Sequence, residues 1–451
     1  MTATAFWTGA RVADALGVPA PAPSPASFVG IATDTRQISG GELFVALHGE
    51  RFDAHDFLAQ AQARGAAAAV VRRGTTPVSG LPLYCVDDPR TALGRLARAR
   101  RRALSPGTPV VAITGSTGKT STKELVRAAL APRYTVHATA GNLNNEIGVP
   151  LTLLAIPPQA GALVVEAGAS VPGEIARLRD VIEPTIGVIT NVGYSHVEGF
   201  GSLDVVMREK VSLLEGVPVA VVGTEPPELA TLARARARTV VAGTNRPADV
   251  VAESVTLDAH GHCRLRWEGR EVTLSLFGLH QAENAMLALA VAREAGVDPA
   301  AALAGLAQAR LPGGRGRVET VGELTIIDDT YNASPASLRR AVESAAWLAH
   351  THHRPLVVVV GPMLELGPES ARLHAVAAAD IVGAEPVLVA VVGEFASAFA
   401  PFRDQLGERL LIAADPDGLG PRLKAALHGN EVVLLKASRG VALERVLPHL
   451  G

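Results

Sequence analysis

Residues 110–122 read VVAITGSTGKTST: an apolar run of strand character breaks into a glycine-bearing loop, and the loop opens a helix. That order confines the chain to an α/β architecture with an anion site, because the N–H groups of such a loop and the positive end of the following helix converge on one point. Gly115 and Gly118 let the backbone turn inward. Lys119 adds an ammonium for phosphate oxygens and Thr120 a hydroxyl for Mg²⁺. The usual eight-residue phosphate loop has glycine where this chain has Ile113, so the motif is a shortened GxxGKT. The competing explanation is a turn that only caps a helix.

At 451 residues the chain is long for one domain, and the length prior is roughly three. Apolar segments alternate with helical patterns throughout. ELFVAL, AAAAVVR and PLYCVDD predict a small sheet at the N-terminal end. VVAIT, ALVVEAG, GVITNVG, VPVAVVG and TVVAG predict a larger, mainly parallel one, and ELTIIDD, PLVVVVG, PVLVAVVG and EVVLLKASRG predict a third that is doubly wound. Proline and glycine near Ser105 and in LPGGRGR mark boundaries, so three α/β domains are expected over 1–105, 106–311 and 312–451.

Charge excludes some functions. Forty-two basic groups nearly cancel 44 acidic ones, so the five arginines of LGRLARARRRALSPGTP read as a solvated helix face beside a hinge, not as a nucleic-acid surface. Cys85 and Cys263 form no metal or disulfide pattern, which points to a reducing, cytoplasmic setting. Runs such as PLVVVVGPML are too short for a membrane span.

Polar residues at strand ends are the candidate site. Glu166 ends ALVVEAG, and Asn191 and His196 follow GVIT; beside a phosphate loop they suggest metal coordination. Asn284, near the start of the apolar helix LHQAENAMLALAVAREA, is able to read an adenine edge. Asp328 and Asp329 suit ribose hydroxyls or the capping of the next turn. In DTRQISGGELFVALHGERFDAHDF, Asp34, Thr35, Arg36, Arg51 and His55 with Gly40, Gly41 and Gly49 form a candidate ligand cluster.

These motifs together resemble the Mur ligases, and among them the branch that joins D-alanyl-D-alanine to a UDP-N-acetylmuramoyl-tripeptide. The resemblance rests on the 34–57 stretch just quoted, ITGSTGKTSTKE, GNLNNEIGVPLTLL, HVEGFGS, IDDTYNASPASL, MLELG and KASRG, and it spans all three segments. It implies an ATP-dependent amide ligase of cytoplasmic peptidoglycan precursor synthesis that uses Mg²⁺ and works through an acyl phosphate: an N-terminal domain for the UDP-sugar peptide, a central P-loop ATPase-like domain and a mobile, Rossmann-like C-terminal domain. Gly115, Ser116, Thr117, Gly118, Lys119, Thr120 and Ser121 match the ATP phosphate loop. Thr120, Glu166 and His196 match magnesium positions. Lys210, fourteen residues after His196, matches a lysine that the family carbamylates with CO₂. Asn284 and Asp329 match adenine and ribose contacts. Arg317 matches the arginine that closes onto the phosphates, with Arg315 as its competitor, and Thr35, Arg36 and Asn145 match substrate contacts. Pro362 and Ala437 depart from the family pattern. DDPR at Asp87 imitates a substrate-selecting motif of a sister ligase but reads as a strand-to-helix turn. A monomer is expected. The rivals are a folate-type glutamate ligase, which lacks a counterpart to DTRQISGGELF, and a non-catalytic nucleotide-binding module, which needs neither Glu166, His196 and Lys210 nor three domains. No motif selects the third residue of the tripeptide.

Overall fold

The structure, a computed structural model, describes residues 6–49 and 52–451. Arg51 of the N-terminal cluster lies outside them. The chain divides into two compact units: one comprises the described part of Met1–Thr108 with Asn142–Ala160 and Arg177–Glu183, the other Pro109–Gly141, Gly161–Ala176 and Pro184–Gly451.

The first unit carries helix α1 (Gly9–Leu16) and a four-stranded parallel sheet of β1 (Ile31–Ala32), β2 (Leu43–Val45), β3 (Ala68–Arg72) and β4 (Leu83–Val86), in that order. Helix α2 (Leu58–Ala63) precedes β3, and α3 (Pro89–Arg102) follows β4. The DDPR turn is the start of α3: Asp88 accepts from the Arg90 and Thr91 amides at 3.1 and 3.0 Å, and Pro89 takes the first helical position.

The arginine run at the end of α3 is not simply solvated. Arg101 donates to the Ile182 and Glu183 carbonyls at 3.0 and 2.6 Å, at the C-terminal end of the helix Glu174–Ile182. Arg98 and Arg102 donate to the Glu183 carboxylate, and Arg100 donates to the Ile156 carbonyl. Cations gathered on the free carbonyls of a helix end are favourable there. The reason for the run is therefore internal, and it binds 177–183 and 142–160 to the N-terminal sheet.

The second unit holds two large sheets. The first contains β5 (Val110–Thr114), β6 (Val136–Ala138), β7 (Ala162–Glu166), β8 (Ile186–Ile189), β9 (Val219–Val222), β10 (Arg238–Gly243) and β11 (Val250–Val251). All are parallel, in the order β11-β10-β9-β8-β5-β7-β6. The chain leaves β5 toward β7 on one side and later returns to β8 on the other. Thr114 pairs in register with Ile189, and Ile113 with Glu166. Strand ends diverge at such a reversal, and ligands bind there in open α/β sheets. Helix α4 (Lys119–Leu130) covers the sheet through Leu125, Val126, Ala129 and Leu130.

A three-stranded antiparallel sheet of β12 (Ser254–Leu257), β13 (His262–Trp267) and β14 (Arg270–Phe277) was not anticipated. Its signal is present as strict alternation in HCRLRW, where Cys263, Leu265 and Trp267 are buried, and in a two-residue turn, Glu268 and Gly269, both at positive φ. The last sheet runs β15-β16-β20-β17-β18-β19, with β15 (Arg317–Val321), β16 (Leu324–Asp329), β17 (Leu356–Val360), β18 (Leu388–Val392), β19 (Leu410–Ala413) and β20 (Val432–Lys436). Only the β15–β16 pair is antiparallel. Among the described residues no helix is long and apolar enough to cross a membrane.

Because the helix Gly148–Leu154 buries Val149 and Leu153 in the first unit, a chain beginning at Pro109 strips this helix of its packing surface. Each such side chain loses about 1.5–3 kcal/mol when returned to water. We expect that truncated chain to bind a hydrophobic dye strongly and to elute as aggregate in gel filtration; a monodisperse truncated protein with no dye binding would contradict the unit assignment.

Candidate active site

The phosphate loop is held in shape from β8. The amide of Ser116 donates to the Asn191 carbonyl at 3.0 Å, and that of Thr117 to Asn191 Oδ1 at 3.0 Å. Thr190 Oγ1 donates to the Thr117 carbonyl at 2.6 Å, and Ser116 Oγ to the Gly193 carbonyl at 2.8 Å. Asn191, expected near a metal, spends its side chain bracing the loop.

The glycines have a steric reason. Gly115 sits at φ +148°, where a Cβ would lie 2.0 Å from Thr190 Oγ1; Gly118 sits at φ +76°, where a Cβ would lie 2.6 Å from Asn284 Oδ1. Both positions exclude any side chain and leave a cradle of backbone at the start of α4. The missing glycine at Ile113 has no consequence, because Ile113 is a fully buried β5 residue below the loop.

Lys119 folds its ammonium onto the loop's own carbonyls, at 2.7 Å from Gly115 O and 3.4 Å from Ser116 O. Desolvation lowers its pKa; Glu166 opposes that and Arg315 adds to it. Thr120 Oγ1 donates to Glu166 Oε2 at 3.0 Å. Glu166 is 2 % exposed, and its position is fixed by its own amide, which donates to Thr139 Oγ1 at 3.0 Å; the Thr139 carbonyl in turn accepts from the buried Lys123 at 2.7 Å. Sequence reasoning missed Lys123, whose only signal is its place in the helix that opens at the loop.

His196 follows β8 in a left-handed conformation, φ +52°. Desolvation, and then the charge of Lys119, hold its pKa below the usual imidazole value, so the neutral ring is favoured. Its Nδ1 lies against the Glu365 carboxylate, a second residue that the sequence did not single out. Lys210 lies on helix α5 (Leu203–Val211) and is 1 % exposed. Its neighbour Glu209 anchors the helix by accepting from the Gly173 and Ile175 amides, both at 2.7 Å. Burial foremost, and then Lys119, push the Lys210 pKa down to about 7, against the pull of Glu209 and Glu174. This lysine does not point to solvent.

Two expected residues differ from expectation in placement. Arg317 is 65 % exposed and pairs with Glu319 instead of reaching the loop. Its competitor Arg315 lies 3.4 Å from Thr120 Oγ1, with its guanidinium 3.5 Å over the Tyr331 ring. The alternation of β15 explains this: Arg317 is a strand residue facing outward, while Arg315 precedes the strand in the glycine-bearing turn. Asn284, on α6 (His280–Glu294), packs against the loop but accepts from Thr122 Oγ1 and donates to Gln281 Oε1, both at 3.1 Å. It lines a small recess with Thr190, Asn191, Thr224, Glu225 and Glu283. His280, at the head of α6, is pushed down to about 3 by burial, Arg340 and Lys436, and so stays neutral.

Asp328 caps the next turn, accepting from Thr330 Oγ1 at 2.6 Å, whereas Asp329 pairs with Lys436 of β20 at 2.5 Å. Desolvation raises the Asp329 pKa, opposed first by Lys436. In the first unit, Thr35 donates to Gln60 Oε1 at 2.7 Å, Arg36 pairs with Asp34 at 2.6 Å and holds it near 2, and Asn145 Oδ1 accepts from the Gly148 amide at 2.9 Å. Each of the three has a local structural partner.

Among the described residues no three His, Cys, Asp or Glu side chains gather as a ready metal cage. The adjacent Thr120 hydroxyl and Glu166 carboxylate fit Mg²⁺ nevertheless, because that ion takes one or two carboxylates and completes its shell with phosphate oxygens and water. The buried hydroxyls of Thr114 and Ser195, both without a hydrogen-bond partner, add unused polar capacity beside the loop and beside His196.

A parallel sheet with a glycine cradle, a buried lysine and a carboxylate at its switch point defines an α/β nucleotide-binding protein. Comparison with known proteins places it further. The Mur ligase middle domain matches residues 113–292, the Mur ligase, glutamate ligase domain matches 316–439, and the Mur ligase family, catalytic domain matches 27–101. The UDP-N-acetylmuramoyl-tripeptide–D-alanyl-D-alanine ligase of Bacillus subtilis is 34 % identical over 430 residues, 93 % of each chain. A crystal structure of MurF from Acinetobacter baumannii superposes with a TM-score of 0.87 at 30 % identity over 98 % of both chains. MurF ligase from Thermotoga maritima in complex with ADP gives 0.82 at 30 % identity, over 93 % of this chain and 96 % of that one. The chain belongs to the Mur ligase family.

Among the described residues Lys436 is the cation paired with Asp329, whose side chain is 20 % exposed, and Lys436→Met leaves that carboxylate without its ion-pair partner. Removing one member of a fully buried pair costs about 3–5 kcal/mol, and the partial exposure of Asp329 makes the cost here smaller. We expect a lowered thermal midpoint for Lys436→Met, and recovery in the double variant Lys436→Met with Asp329→Asn; equal midpoints for wild type and single variant would show the pair to be dispensable.

Proposed function

We propose that the chain joins D-alanyl-D-alanine to a UDP-N-acetylmuramoyl-tripeptide at the expense of ATP, as a monomer in the cytoplasm. The observation that carries this is the convergence of the glycine cradle, Lys119, Thr120 and Glu166 at one switch point, in a chain aligned almost end to end with a relative named for that reaction. The sequence divides into a UDP-sugar-peptide domain at 1–105, an ATP domain at 106–311 and a mobile ligase domain at 312–451. Thr35 and Arg36 in the first, with Asn145 from the 142–160 stretch that packs in the same compact unit, contact the substrate.

The tripeptide's terminal carboxylate oxygen attacks the γ-phosphorus of ATP, the bond to the β–γ bridging oxygen breaks, and ADP leaves an acyl phosphate. The free amine of D-alanyl-D-alanine then adds to that carbonyl; the tetrahedral adduct expels phosphate and the nitrogen loses its proton. Every reactant in the first step is an anion. Lys119 swings from its loop carbonyls to the phosphates, and Arg315, beside Thr120, supplies the second cation, the role expected of Arg317. Thr120, Glu166 and His196 would hold Mg²⁺, whose chemistry there would be to neutralise phosphate charge. Asn284 and Asp329 bind the adenine and ribose once they exchange their present partners for the nucleotide. Exclusion of water by the 312–451 segment protects the acyl phosphate from hydrolysis.

Lys210 is carbamylated in this reading. With a pKa near 7, much of it is a neutral amine at physiological pH, able to add CO₂ with loss of a proton. The product is an anion where an ammonium would be repelled by the surrounding cations.

Two outcomes test the proposal. ADP formation should require the UDP-tripeptide, and amide formation should require D-alanyl-D-alanine in addition; turnover with a folate in place of the UDP-peptide would refute the assignment. Lys210→Ala should lower turnover by orders of magnitude, with partial rescue by acetate, and full activity of that variant would end the carbamate role.

A further inference from the structure

The MLELG turn at 363–367 lies in the C-terminal part of the second unit, and its middle residue reaches His196. Glu365 adopts φ +63° and His196 φ +52°. Non-glycine residues in this region are costly to hold and persist where the surroundings enforce them. Here two such residues meet side chain to side chain, Glu365 Oε2 against His196 Nδ1.

The turn is seated on the histidine segment at two further points. The Glu198 amide donates to the Glu365 carbonyl at 3.2 Å, and Gly367, at φ +55°, comes so near that a Cβ would lie 3.2 Å from Glu198 Cα. On its other side the turn is pinned by the helix Ser370–Gly383 and by the segment that follows β20. The Met363 amide donates to His374 Nε2 at 2.9 Å, the Leu364 amide to Ser438 Oγ at 2.9 Å, and the Ser438 amide to the Pro362 carbonyl at 3.1 Å. Ser438 stands two residues after Lys436, the partner of Asp329. A continuous set of contacts thus runs from the proposed ribose residue to His196.

Imidazole has two ring nitrogens, and a carboxylate on one leaves the other as the ligand atom. Metal-binding histidines generally carry such a partner, which sets the ring's orientation and strengthens it as a donor. Glu365 meets this description, and it is supplied by the C-terminal sheet instead of the sheet that bears the loop. We propose that Glu365 is a positioning residue for His196, so that the seating of the 363–367 turn completes the divalent-cation site. This rests on the assignment of His196 as a magnesium ligand. It makes cation affinity a property of C-terminal docking as well as of the phosphate loop.

The test is Mn²⁺ binding to the full chain with ADP, followed by the EPR signal of free Mn²⁺, for wild type, His196→Ala, Glu365→Gln and Glu365→Asp. Glu365→Gln should bind Mn²⁺ about 10-fold more weakly at an unchanged thermal midpoint, and Glu365→Asp should recover most of the loss. Nitrogen-15 correlation spectra of the metal-free protein should show the His196 proton on Nδ1 in wild type and a changed tautomer balance in Glu365→Gln. Wild-type Mn²⁺ affinity in Glu365→Gln, alongside weakened binding in His196→Ala, would overturn the positioning role alone. Unchanged affinity in His196→Ala would remove the ligand assignment, and this inference with it.

Discussion

The register of three parallel strands is the constraint on which the rest depends. Because β5 is flanked by β7 and β8 with their ends level, the loop after Thr114, the carboxylate of Glu166 and the segment after Ile189 all open at one edge. The main-chain ladder sets this convergence, so the functional side chains need no specific contacts to find each other. Asn191, Thr190 and Thr139 then fix the fine geometry, bracing the loop and the end of β7 by hydrogen bonds that a shift of one residue in register would destroy.

Electrostatics gives that edge its chemistry. Lys119 and Lys210 are both desolvated, each lowers the pKa of a neighbour, and Arg315 acts on Lys119, with Glu166 as the carboxylate that favours the charged form of Lys119. Such an arrangement of buried cations is poorly satisfied without anions. A triphosphate and a carboxylate substrate supply that charge, as would a carbamate on Lys210. The contrast with the arginine run of α3 is informative: those cations are already answered by Glu183 and by helix-end carbonyls, and they serve architecture.

The Lys436–Asp329 pair and the Glu365–His196 pair extend the same principle outward. In each, a site residue is held by a partner that sequence reasoning did not select. Holding charge in this way keeps reactive groups oriented.

The sequence by itself determined the α/β class, the strand-to-helix loop and which polar strand ends stand beside it, because glycine spacing, apolar runs and polar strand ends are local properties that survive in a linear reading. The alternation in HCRLRW also carried the antiparallel sheet, although it went unread. Only the tertiary structure decided that 142–160 and 177–183 belong with the N-terminal sheet, that Arg315 and not Arg317 stands at the loop, and that Glu365 meets His196. The physical reason is common to all three. Helix packing faces, the outward or inward side of a strand and the pairing of residues far apart in the chain arise from long-range contacts, and no neighbouring residue encodes them.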